Sequence, residues 1–213
     1  MTAAPLIHVV DDDASFRTAI ARLLRAAGYQ VVLYESGDAF LSQPVSAEDG
    51  CILLDVRMPG FTGLDLQNHL NDLDCILQVV FLTGHGDIPT NVRAVKAGAE
   101  DFLSKPVAKE KLLEAVERAL ARCIERREER DQINRLRDLV SKLTPREHEV
   151  FSLVVRGKLN KQIAAELGLA EITVKIYRGH IMKKMHAKSL AELIRITETL
   201  GIRPQKPSPG VQT

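Results

Sequence analysis

Asp11, Asp12 and Asp13 run together in "HVVDDD", Asp55 closes the apolar run of "CILLDVRMPG", Thr83 follows "VVFL", and Lys105 precedes a proline in "FLSKP". Brought to one place, the carboxylates would repel one another and want a hard cation. Mg2+ suits them, because it takes oxygen ligands octahedrally and keeps several waters. An ammonium and a hydroxyl beside that cation would balance the charge of a transferred phosphoryl group and hydrogen-bond its oxygens, with Asp55 placed as the nucleophile. Singly, each feature is ordinary: an aspartate at a strand end is more often a helix cap, and a lysine before proline is more often a loop residue. The chemistry rests on their meeting.

A parallel sheet would make them meet. Short apolar runs at Leu6 to Val10, Val31 to Tyr34, Cys51 to Leu54, Val79 to Leu82 and Phe102 to Leu103 alternate with helix-period segments. Phe16, Ile20, Leu23 and Leu24 keep helical spacing up to Gly28, a good residue just past a helix end, and Leu64, Leu66, Leu70 and Leu73 predict a helix opening after Gly63. This alternation predicts an α/β doubly wound domain of five parallel strands and five helices, with strand order 2-1-3-4-5. Ligands of such sheets bind outside the carboxyl ends of the strands, which is where the aspartates, Thr83 and Lys105 fall. The turn in "RMPG", set by Pro59 and Gly60, would carry the backbone carbonyl of Arg57 toward the metal.

Charge divides the chain further. Residues 1–124 hold 11 Lys+Arg against 17 Asp+Glu, residues 125–141 hold five of each, and residues 142–213 hold 13 against 6. An acidic first part and a basic last part suggest two modules, the second suited to a polyanion such as nucleic acid. The three cysteines lack metal-type spacing and read as reduced, inert thiols. With no apolar stretch near the roughly 18 to 20 residues of a membrane span, and no signal peptide in Met1 to Val10, a cytoplasmic protein without a membrane partner is expected.

From Lys109 the apolar positions Leu112, Leu113, Val116, Leu120, Cys123 and Ile124 keep helical spacing. They pass into the charged "ERREERDQ" and resume at Ile133, Leu136, Leu139, Val140 and Leu143. One long helix with a solvated middle is predicted as the connector. Beyond it, Thr144, Pro145 and Glu147 predict a capping box, Asn160 opens a second helix ending near Gly168, and Glu171 opens a third. Two short helices joined by a tight turn with Gly are a helix-turn-helix signature.

In the third helix Val174, Tyr177, Ile181 and Met185 form the buried stripe, and Lys175, Ile176, Gly179 and Lys183 lie opposite with Arg178 on the flank. In a major groove, lysine can donate to guanine edges and Ile176 can meet a thymine methyl. Gly179 costs about 1 kcal/mol of helix stability against Ala, so close approach to DNA is its expected use. Lys158, Lys161, Arg178, Lys183, Lys184 and Lys188 would contact phosphates. Against this stands the plainer reading of a solvated basic face on a small helical module.

"HVVDDD", "LLDVRMPGFTG", "FLTGHGD" and "AGAEDFLSKP" resemble the receiver domain of response regulators, and "TGHGD" resembles the FixJ branch. The resemblance implies that Asp55 is phosphorylated by a sensor histidine kinase, that Asp12 binds Mg2+ directly and Asp11 through water, and that Arg57 supplies its carbonyl. It also implies phosphoryl contacts from Thr83 and Lys105, a switch role for Phe102, and a cis Lys105-Pro106 bond. Val107, where Phe is usual, and Asn91, where an apolar residue is commoner, depart from the pattern. Thr144, Glu147, Asn160 to Ala164 and Thr173 to Lys175 resemble the LuxR-type DNA-binding domain, in which the last helix, here Ser189 to Leu200, would supply a dimer contact on DNA. Tyr177 stands where His is usual there.

The expected organisation is a receiver at residues 1–122, a helical linker at 123–141, a LuxR-type helix-turn-helix domain at 142–203 and a disordered tail at 204–213. The expected function is a phosphorylation-dependent regulator that binds double-stranded promoter DNA as a homodimer and activates transcription, with RNA polymerase as a further partner. A Mg2+-dependent phosphohydrolase would commonly carry an acid two residues after its nucleophile, and Arg57 stands there instead. A DNA-binding regulator gated by a ligand or partner without phosphorylation is the alternative. The intact set of Asp55 and Lys105 argues against it.

Overall fold

The computed structural model describes residues 4–43, 50–84 and 99–202, and the chain divides into two units, residues 1–128 and 129–213. In the first, strands β1 (Leu6–Val10), β2 (Gln30–Tyr34), β3 (Gly50–Asp55), β4 (Gln78–Thr83) and β5 (Asp101–Ser104) form one parallel sheet in the order β2-β1-β3-β4-β5. This is the predicted doubly wound order. Helices α1 (Ala14–Ala26), α2 (Gly37–Leu41) and α3 (Gly63–Asp72) follow β1, β2 and β3. The helix predicted between β4 and β5, Asn91 and the tail from residue 204 lie outside the described residues.

The central strands are apolar on both faces because both faces are covered. Ile7, Val9, Cys51, Leu53, Val80 and Leu82 pack with Ile20 and Leu24 of α1 and with Leu112 and Val116 of the long helix α4 (Lys109–Ser141). The alternate residues Ile52, Leu54, Val79 and Phe81 pack with Phe40 of α2 and Leu66 and Leu70 of α3. Cys51 is fully buried in β3, and burial pushes its thiol far above the ordinary range, so it behaves as a small apolar side chain.

Local signals set where the helices start and stop. Asp13 caps α1, its Oδ1 accepting from the amides of Ser15 (2.8 Å) and Phe16 (3.1 Å), while Gly28 at φ +94° ends it. Asp13 is thus a structural member of the Asp-Asp-Asp run. Gly63 opens α3 hard against the sheet: a Cβ there would lie 2.2 Å from the carbonyl oxygen of Asp55, so only glycine lets α3 start at this point.

The second unit is helical: the end of α4, α5 (Pro145–Val154), α6 (Asn160–Leu167), α7 (Glu171–Lys184) and α8 (Leu190–Thr199). Val150, Phe151, Ile163, Val174, Ile181 and Leu193 form its core. The predicted capping box is present at α5, where Thr144 and Glu147 bond reciprocally and Pro145 begins the helix. Gly168 at φ +65° ends α6 and turns the chain into α7, as the helix-turn-helix reading requires. Helix α4 runs without a break through the charged residues 125–132, most of them exposed.

Candidate functional site

The parallel register brings the ends of β1, β3, β4 and β5 to one edge, and the predicted pocket residues stand on it. Asp11 is fully buried, Asp55 and Thr83 are nearly so, and Asp12 is exposed. The Lys105 ammonium bridges the two buried carboxylates, 2.5 Å from Asp11 Oδ2 and 2.8 Å from Asp55 Oδ2. Burial alone would lower the lysine's pKa, but the hydrogen bonds to Asp11 and Asp55 outweigh it and hold the group above its ordinary value. Burial pushes the Asp11 carboxyl up, against the opposing pull of Lys105 and of the Asp13 amide, which donates to Asp11 Oδ1 at 2.9 Å. Lys105 follows β5 directly, and its bond to Pro106 is cis.

Asp11, Asp12 and Asp55 can each offer one oxygen such that all lie within 4.8 Å of one another. Around a Mg2+ with bonds of about 2.1 Å, octahedral oxygens sit roughly 3 to 4 Å apart, so the three carboxylates fit that ion. The Arg57 amide donates to Asp55 Oδ1 at 3.2 Å, which sets the turn after β3 beside this cluster. The Thr83 hydroxyl donates to the Gly84 carbonyl at 3.1 Å, and the ring of Phe102 lies 5.8 Å from that of Phe81.

Phe16 is the pocket residue that sequence reasoning did not single out. Its place in the apolar stripe of α1 hid it, yet its ring lies under the Lys105 ammonium, 4.3 Å from nitrogen to centroid. The available signal was its position in the first turn after the strand-end aspartates.

On α7 Val174 and Ile181 are buried, as is Met185 just past its end, Tyr177 is half-buried, and Lys175, Ile176, Gly179 and Lys183 are exposed, as the periodicity requires. Ile172, a turn before Ile176, is 63% exposed and lies on the same face. Thr173 and Arg178 are half-buried, and Arg178 lines an apolar hollow with Val154, Ile181, Met182, Leu190 and Leu193. Lys161 and Lys188 are exposed. Two of the lysines read as phosphate contacts hold carboxylates: Lys158 pairs with Glu166, and Lys184 reaches Glu147 at 2.6 Å and the Lys142 carbonyl at 3.2 Å. Glu147 is buried, and the hydrogen bond from Lys184 holds its carboxyl down to about 2.

Among the described residues, no helix is long and apolar enough to cross a membrane. The profile of the response regulator receiver domain matches residues 7–117, and that of the bacterial regulatory proteins of the luxR family matches residues 141–197. Nodulation protein W of Bradyrhizobium diazoefficiens is 51% identical over 92% of this chain and 87% of its own length. The transcriptional regulatory protein FixJ of Azorhizobium caulinodans is 40% identical over 93% and 94%. Among solved structures, the response regulator StyR is 46% identical with a TM-score of 0.76, over 92% of this chain and 99% of that one. Full-length FixJ from B. japonicum is 35% identical with a TM-score of 0.57, over 95% of this chain and 100% of that one. A receiver implies a histidine kinase partner, a LuxR-type domain implies DNA, and neither is an enzyme's signature. Strand-end aspartates on one unit and an exposed basic helix on the other are thus two halves of one signalling design, and the chain belongs to the two-component response regulators that regulate transcription, with a FixJ-type receiver followed by a LuxR-type helix-turn-helix domain.

Proposed function

We propose that this regulator takes a phosphoryl group on Asp55 from the phosphohistidine of a sensor kinase, pairs as a homodimer, and activates transcription from promoter DNA. The observation that carries the reading is the Lys105 ammonium shared between Asp11 and Asp55 at the carboxyl edge of the sheet. An Asp55 oxygen would attack phosphorus as the P–N bond breaks, returning the electron pair to the histidine ring. Mg2+, held by Asp11, Asp12, Asp55 and the Arg57 carbonyl, would supply charge neutralisation to the phosphoryl oxygens. Lys105 would move from the carboxylate to a phosphoryl oxygen, Thr83 would donate its hydroxyl to another, and Phe102 would follow Thr83 as the switch aromatic. The change would bias a two-state receiver toward its dimerising form. The cytoplasm, where promoter DNA and RNA polymerase are found, is the proposed setting.

The test is incubation of wild type and Asp55→Ala with Mg2+ and acetyl phosphate, followed by intact mass and sedimentation. Wild type alone should gain one phosphoryl group and shift toward dimer. Equal modification of both proteins, or of neither, would remove the pocket from the account. Coupling through α4 has its own test: a variant lacking residues 125–132 should still be phosphorylated but lose phosphorylation-dependent DNA binding.

On DNA, α7 would enter the major groove with Lys175 toward guanine edges and Ile176 toward a thymine methyl, while Thr173, Arg178, Lys183, Lys161 and Lys188 fix register on phosphates. Lys158 and Lys184 would reach phosphates only by sharing their ammonium groups with Glu166 and Glu147. Gly179 supports the groove-facing assignment. It is exposed in mid-helix, and among the described residues a Cβ there would meet nothing within 4 Å beyond its own stretch of helix, so the described fold gives no reason for glycine. Gly179→Ala should therefore stabilise the second unit by about 1 kcal/mol while weakening operator binding by about tenfold through steric overlap. Thermal unfolding and a binding titration read the two signs separately, and unchanged affinity would take Gly179 off the interface.

A further inference from the structure

A lysine ammonium has three N–H donors in a tetrahedral spread. Two of those of Lys105 go to Asp11 Oδ2 at 2.5 Å and Asp55 Oδ2 at 2.8 Å. The nitrogen also stands 4.3 Å from the centroid of the Phe16 ring. The Lys105 side chain is 19% exposed, which leaves little access for water. The electron-rich face of an aromatic ring attracts a cation at this distance, and more strongly where water is scarce. Phe16 is itself held from two directions: its amide is bonded by the capping carboxylate of Asp13, and its side chain packs against the cluster of Ile20 and Leu112. The ring is a fixed surface, not a mobile cover.

We propose that Phe16 is a positioning residue for phosphoryl transfer: its ring face takes the third side of the Lys105 ammonium, keeping the nitrogen aimed across the strand ends and free to turn onto a phosphoryl oxygen without first shedding water. This rests on the reading of Asp55 as phosphoacceptor. Both carboxylates pull the ammonium toward the sheet, and the ring opposes a collapse onto either one by offering a second attractive surface that carries no charge. Leucine at this position would keep apolar contact with the core but lose the ring's quadrupole, whereas tyrosine would keep both.

The experiment uses the full chain as wild type, Phe16→Leu and Phe16→Tyr. Lys105 Cε–Hε resonances, assigned by their loss in Lys105→Arg, should be shifted upfield by the Phe16 ring current in wild type and Phe16→Tyr and should return to ordinary values in Phe16→Leu. The rate of phosphorylation by acetyl phosphate with Mg2+ should fall about threefold to tenfold in Phe16→Leu and stay within about twofold of wild type in Phe16→Tyr. A Phe16→Leu protein that loses the ring-current shift yet keeps the wild-type rate would overturn the positioning role. So would a Phe16→Tyr protein as slow as Phe16→Leu, since packing volume would then be the cause. A wild type that gains no phosphoryl group would sink the Asp55 reading itself, and the role of Phe16 with it.

Discussion

Lys105→Ala should slow phosphorylation of Asp55 by acetyl phosphate by about 100-fold or more, the scale of losing one preorganised donor to a developing anionic group. The reason is double. The ammonium that would meet the phosphoryl oxygens is gone, and Asp11 and Asp55 face each other without the cation that now lies between them. Removing it also leaves the Asp13 amide alone to oppose burial at Asp11, so that carboxyl should move further up. Time-resolved intact mass reads the rate. A rate within about threefold of wild type would mean that Lys105 serves the resting fold and not the transfer. Lys105→Arg keeps the charge on a larger planar group and should fall between the two.

The second large effect concerns stability. Glu147 is buried, caps α5 through Thr144, and takes a 2.6 Å bond from Lys184 at the end of α7. Glu147→Gln should destabilise the second unit by about 2 kcal/mol, the scale of a hydrogen bond to a charged group and less than for breaking a fully buried pair, because the Lys184 side chain is 37% exposed and keeps some water. The pH dependence has a definite sign. The folded carboxyl titrates at about 2 against 4.5 for the free group, so the unfolded chain binds the proton first. The stabilisation is fully present above about 4.5 and is lost as pH falls from there toward 2. Denaturant unfolding between these limits should show a steep acid limb in wild type and a flatter one in Glu147→Gln. Equal limbs would move the acid sensitivity to another group.

Sequence periodicity was enough for the central strands and for the α7 stripe, since both follow from burial repeating along one element, and the alternation of strands with helices was enough for the strand order. Asp55, Thr83 and Lys105 were legible as a site because the rule for parallel sheets converts positions along the chain into positions at one edge. Phe16 was not, because its useful feature is a ring face turned toward a lysine 89 residues later in the chain. An apolar residue at helical spacing reads as core whether or not a cation rests on it. Asp13 shows the converse: its type suited the metal cluster, yet the open amides at the start of α1 claimed it. Lys158 and Lys184 were read as phosphate contacts, and the carboxylates that hold them lie 8 and 37 residues away, beyond any local pattern.

The buried thiol of Cys51 lies in β3, four residues before Asp55. A thiol reagent can reach it only when the central strand leaves the sheet, and its raised pKa makes it unreactive until then. Its alkylation rate, read at the Cys51 peptide, is therefore an intrinsic clock for opening of the sheet that carries Asp55, with no introduced label. Occupancy of the pocket by Mg2+ or a phosphoryl group would slow that clock by the free energy it adds to the closed sheet. One chemical reaction on the native sequence thus weighs what a ligand at the strand ends would add to the sheet.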